Sequence, residues 1–205
     1  MRIFFYTFLI LILPSSALMA ESNDVLYQPE FCEFAITFPG KTYDTQRCNP
    51  DNVNQCVQQK SYTQVFDNGS TVNFRASCSK SSKAAYQGYT EKTTKMILKA
   101  MTKRSVVQHY NMSYREDVAY KQAGLVGEGQ SGKLGLLYLA QIWVGNASIM
   151  NVEAELIGEE NQDADMMFRD VLRSVAYAPA QKDSSEESEE REESENGSQT
   201  DSHVE

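Results

Sequence analysis

Apolar positions recur along this chain with two different periods. Between Cys32 and Phe38, apolar and polar residues alternate. Cys32, Phe34, Ile36 and Phe38 share one side until Pro39-Gly40 stops the run. A period of two is the mark of a half-buried strand. Residues 71–78 repeat the pattern, with Val72, Phe74, Ala76 and Cys78 inward and Asn73, Arg75 and Ser77 outward. A strand over 57–66 is predicted to lead into it through Asp67-Asn68-Gly69, a hairpin signal between alternating runs. Two further strands are predicted over 106–113 and 117–126. Residues 134–144 are apolar on both sides, Leu134, Leu136, Tyr138 and Ile142 against Leu137, Leu139 and Trp143. That predicts a central strand covered on both faces, by a helix on at least one. Gly145-Asn146 then turns the chain into 147–156, where Met150, Val152, Ala154 and Leu156 share a side.

Helical spacing occurs twice. Residues 89–104 contain good helix formers and no glycine or proline; Ile97, Ala100, Met101 and Arg104 define one side and Lys92, Lys95, Lys99 and Lys103 another. A second helix is predicted to start near Asn161–Asp165, with acids where they suit the helix dipole, and to end near Ala176 before Pro179. Phe168, Val171, Leu172 and Val175 there follow i, i+3, i+4, i+7. The order β-β-β-α-β-β-β-β-α predicts an α+β domain, an antiparallel sheet packed with two long helices. No internal repeat is present.

The two ends differ from this body. Residues 1–20 have the form of a secretory signal: Arg2, an apolar run from Ile3 to Leu13, the break at Pro14, and small residues that permit a cut after Ala17 or Ala20. The run is too short to span a bilayer, and no other run is long and apolar enough. Residues 180–205 are Ser/Glu-rich and carry ten acids against two bases, so most of the net charge of −9 lies there. Such a segment cannot bury enough surface to offset its chain entropy and is expected to be a disordered, solubilising acidic tail. The organisation predicted is a signal over 1–20, one domain over 21–179 and the tail. A near-neutral body argues against a nucleic-acid partner.

Four cysteines, Cys32, Cys48, Cys56 and Cys78, in an exported chain predict two disulfides. The pairing expected is 32–78 between strands and 48–56 around the Asn49-Pro50-Asp51-Asn52 loop. Spacings of 16, 8 and 22 lack the close Cys-x2–4-Cys pairs of a zinc site. Gly127 to Gly132 matches Gly-x-Gly-x-x-Gly, and 127–134 nearly matches a phosphate-binding loop, with Leu134 in place of the magnesium-binding Ser/Thr. Both motifs need a helix to follow, whereas a strand is predicted here, so the segment reads as a glycine-rich hairpin connection. His109 is the one histidine of the body and reads as a strand residue rather than a general base. Glu116-Asp117 and the pair Glu153 and Glu155 read as solvent-facing carboxylates, and Asp51-Asn52-Val53-Asn54 is too sparse for a calcium loop. Sequons stand at Asn68, Asn111, Asn146 and Asn196; in a eukaryotic secretory pathway they would be glycan acceptors, in a bacterium they are chance. No cofactor or metal is implied.

The layout resembles the PsbP-like fold family. The resemblance lies in Phe34-Ala35-Ile36-Thr37-Phe38-Pro39-Gly40, the mid-chain helix, the hairpin at Gly145-Asn146 and the closing Phe168-Arg169-Asp170-Val171-Leu172-Arg173-Ser174-Val175, over about 31–176. It implies a binding or assembly protein without catalysis. The cysteines and the acidic tail are not part of that pattern, and no functional residue carries over.

These readings together predict a non-enzymatic protein of the periplasm or extracellular space. It would bind a protein partner or an anionic surface through its sheet face or the strip Lys92, Lys95, Lys99 and Lys103. The alternative is a small-ligand carrier or atypical enzyme with a pocket between sheet and helix. A third reading has the tail fold back on the lysine strip and mask it, sensitive to salt. Protein purified without reductant from an exporting host should have lost residues 1–17 or 1–20 and lack four thiol hydrogens by intact mass. A full-length or fully reduced mass would refute the export reading.

Overall fold

The computed structural model describes residues 23–49, 52–102 and 107–179. The expected signal over 1–20, the tail over 180–205, Pro50-Asp51 and the residues Lys103 and Arg104 lie outside the described residues. The strands are β1 (Val25–Tyr27), β2 (Phe34–Phe38), β3 (Tyr43–Asn49), β4 (Asn52–Val65), β5 (Thr71–Lys80), β6 (Val107–Glu116), β7 (Lys121–Ser131), β8 (Leu134–Val144), β9 (Ser148–Ile157) and β10 (Ala176–Tyr177). The helices are α1 (Lys83–Gly88), α2 (Glu91–Met101) and α3 (Gln162–Arg173). Seven strands form one antiparallel sheet in the order β3-β4-β5-β9-β8-β7-β6, and β1-β2-β10 form a second, three-stranded one.

The expected α+β class with two long helices is therefore corrected. The protein is mostly β, with strand residues outnumbering helical ones by more than two to one. The predicted helix over 89–104 begins later, at Glu91, because the Thr90 side chain accepts from the Thr93 amide as its N-cap. Helix α2 has only 11 residues. The buried positions of α2 are Thr94 and Leu98, with Ile97 and Met101 partly covered, while Ala100 is exposed rather than on the apolar side. Helix α3 ends at Arg173 instead of 176, and Ala176–Tyr177 leave it to pair with β2.

Strands also form where no apolar period announced them. Strand β3 has no alternating apolar row and, among the described residues, pairs with β4 alone, which extends back to Asn52 from the predicted start at 57. Backbone groups satisfy one another along this hairpin whether or not side chains are buried. The glycine-rich connection shrinks likewise. Gly127 and Gly129 lie inside β7, opposite Tyr138 and Leu136, and only Gly132-Lys133 make the turn. Gly132 has φ +65°, a conformation that favours glycine.

Two cores lie on opposite faces of the large sheet. The first face presents Val72, Phe74 and Ala76 of β5 and Met150, Val152 and Ala154 of β9. Strand β2 and helix α3 cover it with Phe34, Ile36, Phe38, Phe168 and Val171. The second face presents Leu136, Tyr138, Ala140 and Ile142 of β8 and Ala123 and Leu125 of β7. Helix α2 covers it with Leu98. The covers are displaced from one another, α3 over β5 and β9, α2 over β6, β7 and β8. Helices of 11 and 12 residues are roughly 17–18 Å long, whereas six inter-strand spacings make the sheet about 29 Å wide. Each face therefore keeps an open half.

Glu33 locks the three-stranded sheet to the β8–β9 hairpin. Its Oε2 accepts from the Ala147 and Ser148 amides at 2.8 and 2.9 Å, and its own amide donates to Ser148 Oγ at 2.8 Å. A Cβ on Gly145 would lie 2.1 Å from that same oxygen, so glycine is needed for the close approach. Gly145→Ala and Glu33→Ala should each lower stability by about 1–3 kcal/mol. Because both act on one contact, the double variant should lose less than the sum in urea denaturation; full additivity would refute the lock.

Candidate functional site

The open half of the first face lies over β6, β7 and β8. Register aligns its side chains in rows across the sheet. His109, Glu128, Leu137 and Leu156 form one row, Asn111, Val126, Leu139 and Ala154 the next. Ser113, Gly124, Gln141 and Val152 follow, then Arg115, Gln122, Trp143 and Met150. Burial falls steadily along each row. The β9 residues are buried, Leu137, Leu139 and Gln141 are half-buried, and the β6 residues are exposed. Val126 is 41% exposed. The result is an open groove about 20 Å long, from His109 to Arg115, at the strand rise of about 3.4 Å per residue.

Three concavities make up this groove. One of about 560 Å³ lies between His109, Asn111, Glu128 and Leu137. A second of about 610 Å³ lies between Leu137 and α3, at Gln162, Asp165 and Arg169, with Glu160 just before the helix. A third of about 220 Å³ is a notch at Gly124, flanked by Ser113 and Gln141. A Cβ on Gly124 would come 3.2 Å from Ser113 Oγ, so the absent side chain makes the notch. Trp143 Nε1 donates to Gln141 Oε1 at 2.9 Å and fixes one wall. Helix α3 stands where it does because Asn161 caps it, accepting from the Asp163 and Ala164 amides. At the other end Ser174 Oγ accepts from the Thr37 amide at 3.0 Å and ties the helix to β2. Glu128, Glu160 and Asp165 outnumber Arg169 at this end of the groove, so it favours positive charge.

The open half of the second face is a different surface. Glu153, read from the sequence as solvent-facing, is buried, and this is a correction. Arg47 Nη1 reaches its Oε1 at 3.1 Å and Arg75 Nη2 its Oε2 at 3.4 Å; Arg75 also reaches Glu155 Oε1 at 3.1 Å. The alternation was read correctly, but it did not reveal that two arginines, Arg47 of β3 and Arg75 of β5, roof the carboxylate. The Tyr138 hydroxyl is buried beside this network and has no hydrogen-bond partner among the described residues. Burial first, and then the charge of Glu153, push its pKa far above the ordinary tyrosine value.

Of the other residues singled out from the sequence, Lys92 and Lys99 are exposed on α2, and Lys95, one turn before Leu98, is half-buried and taken up by Glu91 at 2.6 Å. Lys103 lies outside the described residues. The cysteines bond as Cys32–Cys78, buried against β2, and Cys48–Cys56, across the β3–β4 hairpin. His109 enters the groove opposite Glu128. No group of three or more His, Cys, Asp or Glu able to hold a metal occurs among the described residues. No helix among them is long and apolar enough to cross a membrane. The two disulfides suit an oxidising compartment. The groove itself was missed by sequence reasoning. Its available signal was that Leu137 and Leu139 register beside Glu128 and Val126 on β7, which leave them half-buried.

No protein-family model matches the chain, and no curated protein matches it.

The ion network makes an asymmetric prediction. Arg47 and Arg75 side chains are 37% and 40% exposed, Glu153 only 7%. Arg75→Met leaves a buried carboxylate short of a partner and should cost roughly 2 kcal/mol, below the fully buried case because water still reaches the arginines. Glu153→Gln leaves half-exposed guanidinium groups that water can satisfy and should cost less. Chemical denaturation of both variants checks the order, and the reverse order would refute it.

Proposed function

We propose that this is an exported, non-enzymatic binding or assembly protein that docks an extended segment of a partner protein along the open half of its first face. The observation that carries the reading is the burial gradient from β9 to β6, which leaves Val126, Leu137 and Leu139 as an apolar floor with polar groups on both sides. The segment would be about six residues long, with apolar side chains toward the floor and a positive charge toward Glu128, Glu160 and Asp165. The PsbP-like resemblance supports the same class of role. The signal-like residues 1–20 and the two disulfides support the periplasm or extracellular space as its place.

The alternative of a small-ligand carrier with a pocket between sheet and helix has less support. Buried side chains pack both helix–sheet interfaces, and the one concavity between the sheet and α3, at Leu137 and Phe168, opens onto the groove; the other two lie on β6, β7 and β8. Binding of anionic surfaces by the lysine strip is the second reading, supported by the exposure of Lys92 and Lys99, while Lys95 is half-buried and paired with Glu91.

A photo-crosslinking residue at Ser113, on the groove, and another at Lys99, on α2, separate these in living cells. The expected result is a discrete protein adduct from Ser113. Val126→Lys should weaken that adduct roughly tenfold, equivalent to about 1.4 kcal/mol of binding. Adducts only from Lys99, or a Ser113 adduct indifferent to Val126→Lys, would overturn the proposal.

A further inference from the structure

The two disulfides stand in contrasting surroundings. Cys32 and Cys78 are 1% and 6% exposed and close a separation of 46 residues within the first core. Cys48 and Cys56 sit directly opposite one another on β3 and β4, eight residues apart in sequence. Cys48 is exposed and Cys56 half-buried. Strand β3 is an edge strand, held in the sheet by β4 alone. Just before Cys48 comes Arg47, which crosses to Glu153 on β9 at 3.1 Å. The exposed bridge therefore closes the end of the strand segment that delivers Arg47 to a buried carboxylate.

We propose that Cys48–Cys56 is a thiol-exchange site, open to a dithiol reductant or the reactive thiol of an oxidoreductase, and that its opening withdraws Arg47 from Glu153. Access decides where exchange begins, because the attacking thiolate must reach a sulfur in line with the bond it breaks. The reductant's thiolate attacks Cys48 Sγ. A mixed disulfide forms, the Cys48–Cys56 bond breaks, and its electron pair leaves on Cys56 Sγ as a thiolate. The reductant's second thiolate, its proton released to solvent, then attacks the reductant sulfur of the mixed disulfide, forms the reductant's internal disulfide and releases Cys48 as a thiolate. Two electrons pass from the reductant to the bridge, and the cysteine thiolates take protons from solvent according to pH. The Cys32–Cys78 bridge, enclosed by β2 and β5, stays closed and keeps the first core intact. Without its bridge, the end of β3 keeps its hydrogen bonds to β4 and the Arg47–Glu153 contact, and edge-strand ends are where local opening costs least.

The test uses the full-length oxidised protein in a dithiothreitol series, trapped with N-ethylmaleimide and mapped by peptide mass spectrometry. Cys48 and Cys56 should be labelled at reductant concentrations about tenfold or more below those that label Cys32 and Cys78. Amide exchange of the partly reduced protein should quicken over Tyr43–Asn49 and stay unchanged over β5 and β9. The double variant Cys48→Ser, Cys56→Ser should show the same quickened exchange with no reductant. Joint reduction of both bridges, or earlier reduction of Cys32–Cys78, would overturn the exchange site. Unchanged exchange over β3 in the partly reduced protein would overturn the link to Arg47.

Discussion

A strand that is apolar on both faces must be covered on both. In this chain that strand is β8. Leu136, Tyr138, Ala140 and Ile142 require a cover on the second face, while Trp143 requires one on the first and Leu137 and Leu139 gain part of one there. Neither helix is long enough to span a face of a seven-stranded sheet. The fold answers by placing α2 under β6, β7 and β8 and α3, with β2, over β5 and β9, offset across the sheet. The rest of the architecture, including two open half-faces on opposite sides, follows from that offset.

The two open halves resolve their exposure by different chemistry. On the second face, Arg47 and Arg75 lay their long stems over the sheet and bring their charges to Glu153 and Glu155, so this surface completes itself from its own side chains. On the first face, small and short residues meet the solvent: Gly124, Ser113, Asn111 and Val126 cannot reach across to cover Leu137 and Leu139. One half is internally paired. The other keeps apolar surface and hydrogen-bonding groups in register, and that difference singles it out as the side on which a partner would gain most.

Legibility in the sequence followed burial. The alternation along Val72 to Cys78 was readable, although Ser77, expected outward, is buried. The Asp67-Asn68-Gly69 turn was readable as well; there Gly69 takes φ +82° and Asn68 Oδ1 accepts from the Ser70 amide at 3.1 Å. Strand β3 was invisible because water reaches both its sides and no periodicity is imposed on Tyr-Asp-Thr-Gln-Arg-Cys-Asn. Helix length was overestimated at its start, where Tyr89 and Thr90 fit the helical pattern but Thr90 caps α2 instead of joining it. The groove escaped because it is assembled from three strands, none of which looks unusual alone; only their register places Gly124 between Ser113 and Gln141.

The pairing around β2 also fixes how the domain would bear load. Strands β1 and β10 flank β2 and both run antiparallel to it; Val25 lies beside Phe38, and Tyr177 beside Phe34. Tension applied through the chain on either side of the domain would draw β1 toward one end of β2 and β10 toward the other. The hydrogen bonds of this small sheet would then be sheared together instead of opened one after another, with the Glu33 carboxylate bracing β2 against the β8–β9 hairpin. A domain fastened at one end and pulled at the other would meet that force at its strongest geometry.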